Sequence, residues 1–150
     1  MKSRSYRTAS VGPAPRPVSD GVSRSMKSNR ASGTRPEIIL AKLLRKRLVK
    51  SNLPGSPDFV YPRARLAVFV HGDFWHRCPQ CNLALPKRHR EFWRRKFARN
   101  VERDELVKKE LEVLGWRVMV VWGHELRDDP SGAASRVRKF TSKSEPSIPS

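Results

Sequence analysis

The apolar residues of this chain are concentrated between about Ile38 and Val121, so this is the stretch where a core can form. Residues 1–22 are rich in serine, arginine and proline, and a segment of that composition cannot bury enough apolar surface to fold. Residues 141–150 are similarly polar and contain proline. The sequence therefore predicts a disordered basic N-terminal tail over 1–22, one folded domain over 23–140 and a flexible tail over 141–150, in line with the usual size of a domain.

Local patterns within this domain predict helices that alternate with short strands. Thr34-Arg35-Pro36-Glu37 has the form of a capping box, in which Thr34 caps a helix and Glu37 reaches back to the amide of the cap. Turn residues, among them Gly115, separate segments with helical or strand patterns. The predicted helices cover about 34–48, 89–114 and 133–140, and the predicted strands cover 58–61, 66–70 and 116–122. This order predicts an α/β protein with a small mixed sheet and polar site residues at the strand ends.

The charge of the chain is strongly positive, with 32 Lys and Arg against 14 Asp and Glu and a formal net charge of +18. Solubility alone is served by a net charge of magnitude roughly 2–8 in a small domain, so the excess predicts a polyanionic partner, nucleic acid before all others. An anionic membrane is the competing partner. No run approaches the roughly 18 apolar residues of a spanning helix, and the N-terminus lacks the apolar stretch of a signal peptide. We therefore expect a cytoplasmic, nucleoid-associated protein.

A cluster of polar and aromatic residues follows the second predicted strand. The segment His71-Gly72-Asp73-Phe74-Trp75-His76 places two histidines and a carboxylate after an apolar run. Histidine titrates near pH 6.5, so one histidine can activate water while the other protonates the leaving oxygen of a phosphodiester. A single histidine is more commonly a hydrogen-bonded structural residue, but the combination favours a catalytic site. Phe74 and Trp75 fit either a wedge that enters a base stack or core packing.

Two further groups of side chains are candidates for metal binding. Asp58 begins the first predicted strand, where its carboxylate suits either a hard cation or the amides of the preceding turn. Both cysteines lie in Cys78-Pro79-Gln80-Cys81, a spacing that fits metal ligation or redox chemistry better than a structural disulfide. A redox role lacks the strand-to-helix context that usually accompanies it.

Taken in order, these motifs resemble the very short patch repair (Vsr-type) mismatch endonucleases, a branch of the PD-(D/E)xK nuclease superfamily. The resemblance covers roughly Ser23 to Arg127. It is carried by Ser23-Arg24-Ser25-Met26, Thr34-Arg35-Pro36-Glu37, Leu53-Pro54-Gly55-Ser56-Pro57-Asp58, His71-Gly72-Asp73-Phe74-Trp75-His76, Asn100-Val101-Glu102-Arg103-Asp104 and Gly115-Trp116-Arg117-Val118. The resemblance implies a three-layer restriction-endonuclease-like fold. It also implies a Mg²⁺-dependent nick on the 5′ side of a thymine mispaired with guanine, the lesion left when 5-methylcytosine deaminates.

The resemblance further implies roles for individual residues in catalysis. Asp58 and the backbone carbonyl of Val70 would hold the catalytic magnesium, and Glu37 would act on it through water. His76 would activate the attacking water. His71 would assist at the phosphate or at the leaving group.

DNA recognition is assigned to a second set of residues by the same resemblance. Met26, Phe74 and Trp75 would intercalate beside the mismatch. Lys96 and Asn100 would face the mismatched pair, and their separation of four residues places them on one face of the long predicted helix.

A structural zinc is also implied, with a changed set of ligands. Asp73 and His124 stand where the family usually carries cysteines, so the expected ligands are Asp73, Cys78, Cys81 and His124. Zn²⁺ accepts thiolate, imidazole and carboxylate in a tetrahedral site, so this set remains chemically sensible.

The linker from Leu48 to Leu53 is a second departure from the family pattern. It is shorter than usual at a place where an early strand would lie, so the sheet is expected to lack an edge strand. The shortening is also expected to move Glu37 relative to Asp58, with a weakened or altered activity as the consequence.

The expected partner is double-stranded DNA with a T:G mismatch, bound by a monomer, and other mismatch-repair proteins are candidates for further partners. Two alternatives stay open at this point. The first is a restriction-type or mobile-element nuclease of the same fold without mismatch specificity. The second is a basic zinc-containing module that binds DNA without cutting it.

Overall fold

The computed structural model describes residues 33–48 and 51–142, so the predictions for residues 1–22, for Met26 and for residues 143–150 lie outside the described residues. Helices and short strands alternate along the described chain, as predicted. The elements are α1 (Arg35–Leu44), β1 (Phe59–Tyr61), β2 (Leu66–His71), α2 (Arg90–Val113), β3 (Arg117–Trp122), α3 (Gly123–Asp128) and α4 (Pro130–Ser142).

The three strands form one small mixed sheet in the order β1-β2-β3. β1 runs antiparallel to β2, with Phe59 opposite Val68. β2 runs parallel to β3, with His71 opposite Trp122, and α2 makes the crossover between these two strands. The predicted mixed sheet is therefore confirmed, and the parallel pair brings the ends of β2 and β3 together at one edge.

Helices cover both faces of the sheet. Consecutive strand residues point to opposite faces, and because they are apolar, both faces of the sheet are apolar. On one face Ala67 and Phe69 pack against Val107 and Leu111 of α2. On the other face the strands pack against α1, α3 and α4 through a larger cluster that includes Leu40, Leu66, Val68, Met119, Val121, Leu126, Ala134 and Val137. The fold is thus a three-layer α/β arrangement consistent with a restriction-endonuclease-like fold, as predicted.

Helix α1 begins where the sequence predicts and ends earlier. Thr34 is the N-cap, but its side chain makes no capping bond, and the Glu37 carboxylate accepts the N–H of Gly33 at 2.6 Å rather than that of Thr34. At the other end Arg45 adopts a left-handed conformation (φ 49°), and the N–H groups of Arg45 and Lys46 bond back to carbonyls of the last turn. This cap ends the helix at Leu44 instead of about Leu48.

The long helix α2 agrees with its predicted bounds within one residue, and Gly115 follows it with a positive φ of 85°. Helix α3 was not predicted, because it begins at a glycine directly after a strand. Helix α4 begins at Pro130, where the Asp129 carboxylate accepts the N–H of Gly132 at 3.0 Å. It extends to Ser142, two residues beyond the predicted boundary of the domain.

Residues 45–48 and 51–58 contain no strand, in keeping with the expected loss of an early strand from the sheet. Within the described ranges no helix combines the length and the apolar character that crossing a membrane requires.

Candidate active site and metal centre

Asp58 lies immediately before β1 and faces the end of β2. Its backbone N–H donates to the carbonyl of Val68 at 2.9 Å, and its Oδ2 atom accepts the N–H of Val70 at 2.7 Å. Burial raises the pKa of the Asp58 carboxyl from 3.8 to about 6, against the lowering effect of the Val70 hydrogen bond, while the Glu37 charge raises it and that of His76 lowers it. The site therefore disfavours the carboxylate unless a cation compensates for it.

Glu37 is the second acidic group of this cleft and comes from α1. Its side chain is buried, with a relative exposure of 4%, and its carboxylate is held by the N–H of Gly33. Its negative charge contributes to the raised pKa of Asp58. Glu37 and Asp58 line one cleft together with Val70 and His71, so the structure brings together the residues predicted around the magnesium.

The two histidines stack on each other at the end of β2. The ring centroids of His71 and His76 are 3.9 Å apart, and the ring planes differ by 7°. Burial, with the charge of His76 as the next cause, lowers the pKa of His71 from 6.5 to about 4. His71 is therefore neutral near pH 7, and it can donate a hydrogen bond but is not a ready source of an acidic proton.

Asp104 is a site residue to which the sequence analysis gave no role. Its Oδ2 atom lies 2.7 Å from Nδ1 of His76. An ionised carboxylate only accepts hydrogen bonds, so Nδ1 of His76 carries the proton and Nε2 is left as the basic atom. The available signal was the spacing of four between Asn100 and Asp104, which puts both on the same face of α2.

The side chains of His71, His76 and Asp104 offer ligand atoms within 4.8 Å of one another. A metal ion needs lone pairs that converge, whereas the lone pairs of two stacked imidazoles lie in nearly parallel planes. The geometry of His71, His76 and Asp104 therefore suits general acid–base catalysis better than metal binding.

Phe74 and Trp75 are half-buried parts of an aromatic cluster with residues of α2. The Phe74 ring meets the buried Phe97 ring edge to face at 5.0 Å, and Trp75 lies 5.8 Å from Trp93. Phe92 joins the cluster through Trp93. Both predicted wedge residues therefore take part in packing and keep part of their surface open to solvent.

Lys96 and Asn100 meet Trp75 from α2. The Nζ atom of Lys96 lies 5.5 Å from the ring centroid of Trp75, and the Asn100 amide donates to the Trp75 carbonyl at 3.1 Å. Four of the five residues predicted to bind DNA are thus neighbours beside the cleft that Asp58 and His76 line. The fifth, Met26, lies outside the described residues.

The predicted zinc ligands Asp73, Cys78, Cys81 and His124 come together between the end of β2 and the start of α3. The Nδ1 atom of His124 lies 2.8 Å from Asp73 Oδ1, 3.6 Å from Cys78 Sγ and 3.3 Å from Cys81 Sγ. All four ligand atoms lie within 4.8 Å of one another. Ligand bonds of roughly 2.0–2.3 Å at tetrahedral angles need separations of about 3.3–3.8 Å, so the set fits Zn²⁺ after a small adjustment.

The environment of the thiols argues against the redox interpretation. Burial raises the pKa of the Cys81 thiol to about 11, with further contributions from the hydrogen bond to Cys78 and the charge of Asp73. Redox-active cysteines have lowered pKa values, because the thiolate is the nucleophile. These cysteines therefore suit a metal site, in which a cation supports the thiolate.

A divalent cation also fits beside Asp58. No described residue donates a hydrogen bond to its Oδ1 atom, and burial destabilises its negative charge in the absence of a counter-charge. Carboxylate and carbonyl oxygens are the ligands that Mg²⁺ prefers.

Comparison with known proteins identifies the family of this chain. A sequence profile described as DNA mismatch endonuclease Vsr matches residues 19–83. The type II nicking enzyme V.NaeI of Lentzea aerocolonigenes is 39% identical over 137 residues, which cover 85% of this chain and 82% of the relative. The DNA mismatch endonuclease Vsr of Escherichia coli (strain K12) is 42% identical over 118 residues, which cover 73% and 75% of the two chains. The chain therefore belongs to the Vsr family and is an endonuclease that acts on DNA.

Proposed function

We propose that this endonuclease nicks one strand of duplex DNA on the 5′ side of the thymine in a T:G mismatch, with Mg²⁺ as its catalytic metal. The observation that carries the proposal is the pair formed by His76 and Asp104, which leaves a basic Nε2 atom in the cleft that Asp58 and Glu37 line. The proposal is supported by the relative from Escherichia coli, which is named a DNA mismatch endonuclease.

In this mechanism Asp58 and the Val70 carbonyl would hold the magnesium, and Glu37 would act on it through water. When bound, the ion would supply Lewis-acid chemistry for the phosphate and the nucleophile. His76 takes a proton from the attacking water at Nε2, while Asp104 holds the imidazole in the correct tautomer and stabilises the cation that forms. Asp104 therefore acts through His76 and is a positioning residue.

His71 has a more limited role than the sequence analysis assigned to it. Because its pKa is lowered to about 4, chiefly by burial, it is neutral at pH 7 in the free protein. A neutral imidazole still donates one hydrogen bond, so His71 orients a phosphate oxygen and keeps the His76 ring in place through the stack.

Recognition of the mismatch is proposed to involve the part of the aromatic cluster that stays open to solvent. Trp75 and Phe74 enter the base stack beside the mismatch, and Lys96 is held over Trp75 where its charge can meet a base edge. Asn100 supports the position of Trp75 through its hydrogen bond to the Trp75 carbonyl. Met26 is the remaining residue proposed to intercalate.

The zinc is proposed to have a structural role. Asp73, Cys78, Cys81 and His124 would hold it, and these ligands would tie the segment that carries both histidines to the start of α3. No step of the hydrolysis passes through it.

A second candidate is a strand-nicking enzyme without preference for mismatches, because the relative V.NaeI is named a type II nicking enzyme. The test for both is a set of duplexes of identical sequence with T:G, T:A and C:G at one position. Nicking confined to the T:G duplex in Mg²⁺, and lost in Asp58→Ala, supports the first proposal. Equal nicking of all three contradicts it in favour of the second.

A further inference from the structure

Arg103 is a half-buried arginine that lines the same cleft as Asp58, His71 and His76. It is one residue before Asp104 on α2. It lies one turn after Asn100, which binds Trp75, and one turn before Val107, which packs under the sheet. Residues at these spacings share one face of a helix, so the guanidinium is on the side of α2 that looks toward the end of β2.

Arg103 has no hydrogen-bond or ion-pair partner in the part of the chain that the structure describes. No acidic residue is placed three or four positions away from it on α2. Some other arginines of the domain form ion pairs, as Arg94 does with Glu91 at 2.6 Å. Two carboxylates are adjacent to it in sequence: Asp104 is already bound to His76, and Glu102 is exposed. A half-buried cation without a partner is costly, and a bound anion would offset that cost.

The charge of Arg103 also reaches the catalytic histidines. Burial is the main reason that the pKa of His71 is low, and Arg103 is among the charges that lower it further. Arg103 and His71 are therefore near enough for the charge of one to affect the other.

We propose that Arg103 binds nonbridging oxygens of the phosphate that is cleaved, in the cleft that Asp58 also lines. This inference rests on the proposed function, because it takes the cleft as the place where DNA is hydrolysed. The planar guanidinium matches two phosphate oxygens at once, whereas the ammonium of a lysine cannot do so. Its positive charge stabilises the negative charge that develops as water attacks, so Arg103 is a catalytic residue to which the motif Asn100-Val101-Glu102-Arg103-Asp104 had given no role.

The experiment measures the affinity of parent and Arg103→Gln for a T:G duplex in Ca²⁺, without turnover. A series of duplexes each carries one neutral methylphosphonate at a different position around the mismatch. At the phosphate that Arg103 binds, the methylphosphonate should weaken parent binding about tenfold and Arg103→Gln binding less than about twofold. Arg95→Gln is the matched control, because Arg95 is exposed on the same helix and does not line the cleft.

Coupling between Arg103→Gln and one phosphate, absent in Arg95→Gln, supports the proposal, and that phosphate should be the one where the parent nicks. The proposal is overturned if, at every position, the affinity lost through Arg103→Gln and the affinity lost through the methylphosphonate simply add. Arg103→Gln should also slow nicking at saturating protein by roughly 10²-fold, with partial recovery in Arg103→Lys. Failure of the parent to prefer T:G over T:A contradicts the proposed function, whereas the coupling decides the role of Arg103 from binding alone.

Discussion

The Nδ1 atom of His76, which follows β2, lies 2.7 Å from the Oδ2 atom of Asp104 in the middle of α2. This contact joins a loop to the crossover helix across 28 positions of sequence. It also fixes which nitrogen of His76 is free to accept a proton.

Asp104→Asn is predicted to slow nicking without weakening DNA binding. The amide of asparagine can donate to Nδ1 and so favour the tautomer that puts the proton on Nε2. We expect the single-turnover rate to fall by roughly 10²–10⁴-fold. Affinity for the duplex, measured in Ca²⁺, should change by less than about twofold. Glu102→Gln, an exposed change on the same helix, should leave the rate unaltered. An equal fall in both variants would contradict this role of Asp104.

Asp58→Asn is predicted to stabilise the metal-free protein at high pH. Because burial raises the pKa of Asp58 from 3.8 to about 6, the folded protein loses stability as the pH rises through this interval, and the full cost applies above pH 6. The variant should gain up to about 3 kcal/mol in the free energy of unfolding at pH 8 and little at pH 4. Chemical denaturation at both pH values measures this.

Two controls accompany the denaturation experiment. Asp128→Asn, at an exposed position, should show no such dependence on pH. Addition of Mg²⁺ at pH 8 should stabilise the parent more than Asp58→Asn, because only the parent retains the carboxylate. A gain in stability at pH 4 as large as that at pH 8 would exclude the titration of Asp58 as its cause.

The metal centre is predicted to hold about one zinc ion per chain. Cys78→Ser should purify with little zinc. Asp73→Cys should keep its zinc longer than the parent during dialysis against a chelator, since thiolate binds Zn²⁺ more strongly than carboxylate does. His89→Ala, a histidine outside the set, should match the parent. Metal analysis of the four proteins distinguishes these outcomes, and a parent without zinc refutes the site.

Trp75→Ala is predicted to reduce the preference for mismatched DNA. The change removes the ring under Lys96 and with it a stacking surface, so binding to a T:G duplex should weaken about tenfold. Binding to the matched T:A duplex should change much less. Phe92→Ala alters the same aromatic cluster from α2 and serves as the control. Equal losses on both duplexes would mean that Trp75 contributes only to packing.

The sequence predicted best those features that depend on local patterns. The apolar runs of β2 and β3 and the uninterrupted helical spacing of α2 gave the elements that build the sheet and its crossover, because burial on both faces needs such patterns. Helix α3 was missed, since Gly123 after a strand has the appearance of a turn. The left-handed cap at Arg45 also has no signal in sequence, because arginine rarely takes that conformation.

The candidate site was predicted in part for the same reason. Asp58, His71 and His76 stand next to strand patterns, so their meeting at one edge follows from the topology. Asp104 and Arg103 belong to one of the motifs that carry the resemblance, but the charged pattern of the helix around them gives neither residue a role. Their relation to the cleft appears only when α2 packs on the sheet and turns that face toward β2.

Asp73 and His124 are 2.8 Å apart, and each lies two residues after the end of one of two strands whose last residues are paired. The segment from Gly72 to Arg77 is therefore held at both ends, by β2 on one side and by the metal ligand Cys78 on the other. Loss of the second constraint would allow His76 to move away from Asp104 while the sheet and its helices remained packed. Removal of the proposed zinc should accordingly abolish nicking under conditions in which the protein is still folded.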